Sequence, residues 1–366
     1  MTLPDPVRAW LADRGWAPFP FQLEARDAWA AGRDGLVHSP TGTGKTLAAI
    51  LGPACAALGD DAQGAPPGLR VLWITPMRAL ARDTERALDA FLRGVGLRWG
   101  VERRTGDTSS ATRARQRRRL PEVLVTTPES LALLLSYAET AQQLGGARTV
   151  IVDEWHELLG SKRGVLLELG LARLCRLRPD LRTWGLSATL GNLPEAAQTA
   201  VGLGTEPVIV QSDLQRDTVI QSILPESVDS FPWAGHLGLR MFEALVAALD
   251  IEKSTLIFTN TRNQAERWFQ ALQFALPEHE DQIALHHGSI DRQEREAIEA
   301  GVKVGDIKWV VCTSSLDLGV DFQPVERVVQ IGSAKNLARL LQRAGRSAHV
   351  PEGNSEVFFL PTNALE

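Results

Sequence analysis

Leu36-Val37-His38-Ser39-Pro40-Thr41-Gly42-Thr43-Gly44-Lys45-Thr46 sets the architecture of this chain. A short apolar run ends in a Gly-rich loop, and a helix-like segment runs on from Lys45 to Ala57. That order is the setting a phosphate-binding loop requires. Glycines let backbone N–H groups approach phosphate oxygens closely. The helix N-terminus adds unpaired donors and a favourable dipole. Thr41, Gly42, Thr43 and Gly44 form the cradle. Lys45 is placed to contact the β- and γ-phosphates of a nucleotide, and Thr46 to ligate Mg²⁺ through its hydroxyl. The general pattern starts with glycine, where this chain has Ser39. The alternative is an ordinary Gly-rich turn before a helix. Lysine is scarce, with six in the chain, so one in such a loop stands out.

On either side of this loop short strands alternate with helices. Val71 to Thr75, Val123 to Thr126, Val150 to Val152 and Trp184 to Ala188 read as strands, with helices over Ala79 to Arg93 and Arg163 to Leu177. Continuous apolar runs between helices predict a parallel sheet covered on both faces. A less regular stretch with Pro207, Pro225 and Pro232 follows. The alternation then restarts. Strands fall at Leu256 to Phe258, Ile283 to Leu285, Trp309 to Val311, Val328 to Ile331 and Val357 to Leu360, and helices at Arg262 to Ala275, Asp291 to Ala300 and Asn336 to Ala344. A length of 366 residues, at about 150 per domain, predicts two domains. The expected divisions are 1–205, an inter-domain segment 206–235, and 236–366.

Lys plus Arg is 39 and Asp plus Glu is 44, for a net charge of −5. Bulk charge therefore does not point to nucleic acid, and only a local patch could. Such a patch runs from Arg98 to Arg119, where eight arginines face Glu102 and Asp107 for a local charge of +6. It reads either as a nucleic-acid-facing helix or as a solvated face. The longest apolar stretch, Leu47 to Gly59, is too short to span a bilayer. The N-terminus lacks the basic start and apolar core of a signal peptide. Cys55, Cys175 and Cys312 form no CxxC pair or zinc pattern, which fits a reduced, cytoplasmic compartment. Nothing in the spacing of the ten tryptophans marks a stacking platform, so most read as core.

Asp153-Glu154-Trp155-His156 follows the strand at Val150. Two acids at the C-terminal end of a parallel strand lie where ligands bind in such sheets. Asp153 would hold Mg²⁺ through water, and Glu154 would orient and deprotonate an attacking water. A solvated strand end is the alternative. Ser187-Ala188-Thr189 and Gln342-Arg343-Ala344-Gly345-Arg346 complete a motif set that resembles that of superfamily 2 helicases. The stretch Asp153-Glu154-Trp155-His156-Glu157-Leu158-Leu159-Gly160-Ser161-Lys162-Arg163-Gly164, with Trp16-Ala17-Pro18-Phe19-Pro20-Phe21-Gln22, is similar to the Lhr (large helicase-related) family, in its ligase-associated bacterial branch. The resemblance runs from Phe19 to about His349. It implies an α/β chain of two tandem RecA-like domains, each a mostly parallel sheet with helices on both faces.

The resemblance also implies roles. Phe19 and Gln22 look like the adenine-recognising Q motif, since a Gln amide can both donate and accept. Pro76, Arg78, Gly106, Asp107, Thr127 and Pro128 look like strand grips in the first domain, and Thr259, Asn260, Arg262, Thr313 and Ser314 in the second. Hydroxyls, amides and backbone N–H groups suit phosphate contacts, which position a strand without reading its sequence. Gly319 and Asp321 would lie nearer the nucleotide. Arg346 is the implied arginine finger. Arg343, on the same helical face, would contact the strand, glutamates or phosphate. His349 stands where many relatives carry a second arginine. His156, Ser187, Thr189 and Gln342 would couple nucleotide to strand, Gln342 and Trp155 reading equally as core residues. His286-His287 reads as a family loop or as a capped strand end, without the carboxylate or thiol partners of a metal site.

The implied activity is an ATP- and Mg²⁺-dependent motor. ATP would close the cleft between the domains and shift their grip along single-stranded DNA, from 3′ to 5′, unwinding duplexes or RNA–DNA hybrids. Strand binding should in turn stimulate hydrolysis. DNA ligase and other repair proteins are the implied partners of a monomeric core. Family members continue beyond the second RecA-like domain while this chain stops at Glu366, so the expectation is ATPase activity with poor unwinding. Three rival readings stand beside it. An RNA-dependent ATPase that remodels RNA or RNA–protein complexes is disfavoured by Asp-Glu-Trp-His in place of Asp-Glu-Ala-Asp. A small-molecule kinase has no use for a second RecA-like unit. A binding module without hydrolysis is disfavoured by the intact Lys45, Asp153, Glu154 and Arg346.

Overall fold

The strands Val71–Ile74, Val123–Thr126 and Thr149–Val152 are short, mostly apolar and buried at every residue. Parallel pairing between helical layers is how such runs lose both faces to the core. The computed structural model describes residues 2–60, 68–202, 204–214, 218–224, 239–317, 325–334, 337–347 and 355–363. The chain divides into two compact units, Met1–Asp213 and Leu214–Glu366.

Unit 1 holds seven strands: β1 (Gly35–His38), β2 (Val71–Ile74), β3 (Val101–Arg104), β4 (Val123–Thr126), β5 (Thr149–Val152), β6 (Arg182–Ser187) and β7 (Val208–Gln211). Their order is β3-β4-β2-β5-β6-β1-β7, and every pair is parallel. Unit 2 holds β8 (Thr218–Ser222), β9 (Thr255–Phe258), β10 (Ile283–His286), β11 (Trp309–Cys312), β12 (Arg327–Ile331) and β13 (Ser355–Leu360). They run β10-β11-β9-β12-β13-β8, again all parallel. Side chains alternate between two cores, one on each sheet face. Ile257, Val311 and Val329 pack in one, and Leu256, Phe258, Val310 and Val328 in the other.

Three strands lie where pattern reading does not look for them. β3 is Val101-Glu102-Arg103-Arg104, a half-buried edge whose charges mask it. Within 206–235, the stretch read as inter-domain, β7 and β8 each close the edge of a different sheet, and the division between units falls after Asp213. Pro225 and Pro232 lie outside the described residues. Of the described tryptophans only Trp16 is exposed, at 57%.

Helix Pro20–Ala30 packs on helix Lys45–Asp60 at Gly52, where an added Cβ would lie 2.7 Å from the Trp29 ring. That packing brings Gln22 to the phosphate loop. Gly52→Val should therefore destabilise unit 1 by about 1–3 kcal/mol through overpacking. Urea unfolding should show a lower midpoint at unchanged slope.

Candidate active site

Because all strands of unit 1 run the same way, the loops that follow them gather along one edge of the sheet. Strand order sorts these loops. Those after β1, β6 and β5 carry residues 39–46, 188–189 and 153–154. Those after β2, β4 and β3 carry residues 76–78, 127–128 and 105–107. The loops after β1, β6 and β5 thus lie in one half of the edge and those after β2, β4 and β3 in the other.

The phosphate loop is locked from inside. The Thr43 hydroxyl donates to Pro40 O at 2.7 Å, so the 2.5 Å contact between Ser39 Oγ and Thr43 Oγ1 has Ser39 as donor. Ser39, in place of glycine, closes the loop with its side chain. Gly42 and Gly44 take φ of +78° and +85°, values that exact a strain from any other residue. A Cβ on Gly44 would sit 2.5 Å from Gln22 Nε2. Lys45 Nζ donates to Ser39 O at 3.0 Å and Pro40 O at 3.2 Å. Thr41 and Thr46 are half-buried. Gln22 is fully engaged within the protein: Nε2 donates to Gly44 O at 3.1 Å, and Oε1 accepts the Phe19 N–H at 3.0 Å.

Asp153 and Glu154 are each 6% exposed. Asp153 Oδ1 accepts the Glu154 N–H at 2.9 Å, and Oδ2 accepts Trp73 Nε1–H at 3.3 Å. Burial, then the adjacent Glu154 carboxylate, push the Asp153 carboxyl above the usual carboxylate range, against the pull of Lys45 and Trp73. Glu154 is the one described non-glycine residue with positive φ, +46°. Such backbone strain is typical of working residues. Its Oε2 is buried, has no hydrogen-bond partner and lies 3.6 Å from His156 Nδ1. His156 Nδ1 meets Ser187 Oγ at 2.9 Å. Burial holds the His156 pKa low, opposed by Glu154 and helped by Lys45 and His38. Ser187 O accepts the Ser39 N–H at 3.0 Å, joining this turn to the phosphate loop. Thr189 Oγ1 is buried and unpaired. Trp155 is core, its Nε1–H donating to Ala196 O at 2.8 Å.

In the other half, Pro76, Thr127 and Pro128 are buried and Arg78 is exposed. Arg78 lies over Gly106 and pairs with Asp107 at 2.7 Å. Most of the arginine run, on helix Ser110–Arg118, is engaged by protein. Arg113 donates to Gly106 O at 2.6 Å, Arg115 pairs with Glu102 at 2.8 Å, and Arg117 covers Tyr137 at 4.4 Å.

In unit 2, Thr259 is fully buried, its hydroxyl directed to Cys312 O at 3.1 Å. Asn260 Nδ2 donates to Ser333 O at 2.8 Å, and Arg262 bonds Ser289 Oγ. Thr313 is half-buried and Ser314 exposed. His286 and His287 are buried at the end of β10. His286 bonds Ser315 Oγ at 2.8 Å and Glu299 at 3.4 Å, and His287 meets Glu266 at 3.2 Å. Gln342 is 2% exposed with both amide atoms unpaired. Gly319, Asp321 and His349 lie outside the described residues.

Asp317 is the residue that sequence reading passed over. Arg343, expected at the strand, glutamates or phosphate, forks onto the aspartate Asp317 at 2.7 and 3.3 Å and stacks on Phe258 at 4.6 Å. Arg339 reaches the same carboxylate at 3.4 Å, and Arg346 Nη2 donates to Asp317 O at 3.0 Å. The available signal was the spacing of Arg339 and Arg343, one turn apart on one face, which demands a shared counter-charge once that face is buried.

A raised Asp153 pKa means that the folded chain holds a proton the unfolded chain releases. Stability should then fall as pH rises from the ordinary carboxylate range towards neutrality. Asp153→Asn should remove this trend in metal-free protein. Melting temperatures across that pH range would show it, and an unchanged slope in the variant would contradict it.

Residues 19–196 match the family model of the DEAD/DEAH box helicase, and residues 240–350 that of the helicase conserved C-terminal domain. The ATP-dependent helicase Lhr-Core of Methanocaldococcus jannaschii is 35% identical over 98% of this chain and 43% of its own length. The Lhr helicase/probable uracil glycosylase of Mycolicibacterium smegmatis is 33% identical over 94% of this chain and 25% of its own. The structure of Mycobacterium smegmatis helicase Lhr bound to ssDNA and AMP-PNP aligns with a TM-score of 0.82 at 33% identity, over 99% of this chain and 48% of that one. The chain therefore spans less than half the length of these relatives, and its two α/β units share their tandem RecA-like fold. On its motifs, its fold and these likenesses, the chain belongs to the Lhr family of superfamily 2 helicases.

Proposed function

We propose that this chain is the ATP-hydrolysing motor core of a helicase that moves along single-stranded DNA. One observation carries the reading. Lys45, the Asp153–Glu154 pair and the His156–Ser187 contact converge at the C-terminal ends of three adjacent strands, β1, β5 and β6. The ssDNA and nucleotide analogue held by the Mycobacterium smegmatis Lhr structure support it.

Lys45 would leave the Ser39 and Pro40 carbonyls for the β- and γ-phosphates. Thr46 and Asp153 offer the hard oxygen donors that suit Mg²⁺, which when bound would draw charge from the γ-phosphate. Glu154, with its unpaired Oε2, would take a proton from water attacking the γ-phosphorus. Phe19 and Gln22 would meet adenine once Gln22 exchanges its internal bonds. Arg346 is the proposed arginine for the γ-phosphate, with Arg343 and Asp317 positioning its segment. Gly319 and Asp321 complete the proposed nucleotide set. Arg78, Asp107 and the loops at 76–78, 105–107 and 127–128 would hold the strand backbone, with Asn260, Arg262, Thr313 and Ser314 from unit 2. Movement from 3′ to 5′, RNA–DNA hybrids as substrates, and a repair role beside DNA ligase extend this reading by family resemblance.

Phosphate release from Mg²⁺-ATP should rise with single-stranded DNA and fall by about 10²–10⁴ in Glu154→Gln, with nucleotide binding retained. Stimulation by single-stranded RNA alone would replace the DNA motor with an RNA remodeller. Ser187→Ala should lower the DNA-stimulated rate more than the basal one, and equal losses in both would remove Ser187 from coupling.

A further inference from the structure

A cavity of about 570 Å³ opens in unit 1, away from the phosphate loop. Its charged lining is Arg26, Arg148, Arg178 and Arg182 against one acid, Asp180. Arg148 immediately precedes β5 and Arg182 opens β6. The cavity therefore lies at the N-terminal ends of the strands whose other ends carry Asp153 and Ser187. One wall is residues 52–56 of helix Lys45–Asp60, about 15 Å along that helix from Lys45.

Arg182 stacks on Trp29 at 4.2 Å, Arg178 donates to Gly146 O at 3.2 Å and Asp180 at 3.0 Å, and Arg26 pairs with Asp27 at 2.9 Å. Each guanidinium carries five N–H donors, and the contacts of Arg178 and Arg182 leave several of theirs unused. Arg178 Nε is buried with no acceptor at all. Like charges held around one concavity repel, and an anion between them relieves that cost. The volume is that of a small-molecule site, and planar guanidinium forks match phosphate oxygens. The four arginines come from three segments, with Arg178 and Arg182 flanking one turn, an arrangement that suits an anion with more than one phosphate.

We propose that this cavity is a second anion site, for a small molecule carrying two or more phosphates, separate from the ATP site. The test is calorimetric titration of pyrophosphate into the 366-residue chain bearing Lys45→Ala, which silences the phosphate loop. One saturable site should remain, weakened about tenfold or more when Arg148→Glu or Arg178→Gln is added. Pyrophosphate should bind about tenfold more tightly than orthophosphate, because it bridges separated guanidiniums. An unfolding midpoint for each variant separates lost binding from lost folding. No binding to Lys45→Ala, binding that neither arginine change weakens in folded protein, or equal affinity for the two anions would each overturn the proposal. Wild-type protein should show a second pyrophosphate site. Its absence there would count against the phosphate-loop reading and leave this one standing.

Discussion

His38 and Ser187 are partners in the parallel ladder, as are Ile74 and Val152. That register brings segments far apart in the chain to the same level at one edge of the sheet. The ladder then extends into the loops. Ser39 N–H donates to Ser187 O at 3.0 Å, Asp153 N–H to Ile74 O at 2.8 Å and Thr75 N–H to Thr126 O at 2.9 Å. Ser187 thus holds the phosphate loop by its main chain and His156 by its hydroxyl. A slip of one residue would turn every side chain of a strand to the other face and undo all of it.

The site built on this register is costly to fold. Two adjacent carboxyls are buried, and the backbone of Glu154 is held at positive φ. Desolvation and strain of this kind destabilise a fold unless the surroundings over-determine them. Here the surroundings are Trp73, which donates to Asp153, and Trp155, which pins the following turn to Ala196 O. Both tryptophans are core residues that also position polar ones.

Unit 2 uses the same device with opposite sign. A buried carboxylate, Asp317, collects Arg339 and Arg343, and its main-chain oxygen takes Arg346. Breaking such a pair leaves an uncompensated buried charge, which makes the arrangement discriminating about geometry. Thr259 and Asn260 are likewise committed to Cys312 O and Ser333 O, so their side chains stiffen the loop that follows β9.

Local signals were enough for the parallel strands, their alternation with helices, the phosphate loop and the acidic turn, because buried strands and glycine loops are specified by residues adjacent in the chain. Arg262–Ala275 is a helix over the span its apolar spacing predicts. The strands β3, β7 and β8 escaped notice because edge positions do not require apolar residues on both faces. The arginine-rich helix was legible as a helix, but its contacts with Glu102, Gly106 O and Tyr137 were not. The same holds for Asp317 with Arg343, and for the four arginines that meet around one cavity. Sequence alone determined which chemistry the chain carries. Tertiary structure decided which charges are paired and which donors remain unmet, because those depend on residues that only folding makes neighbours.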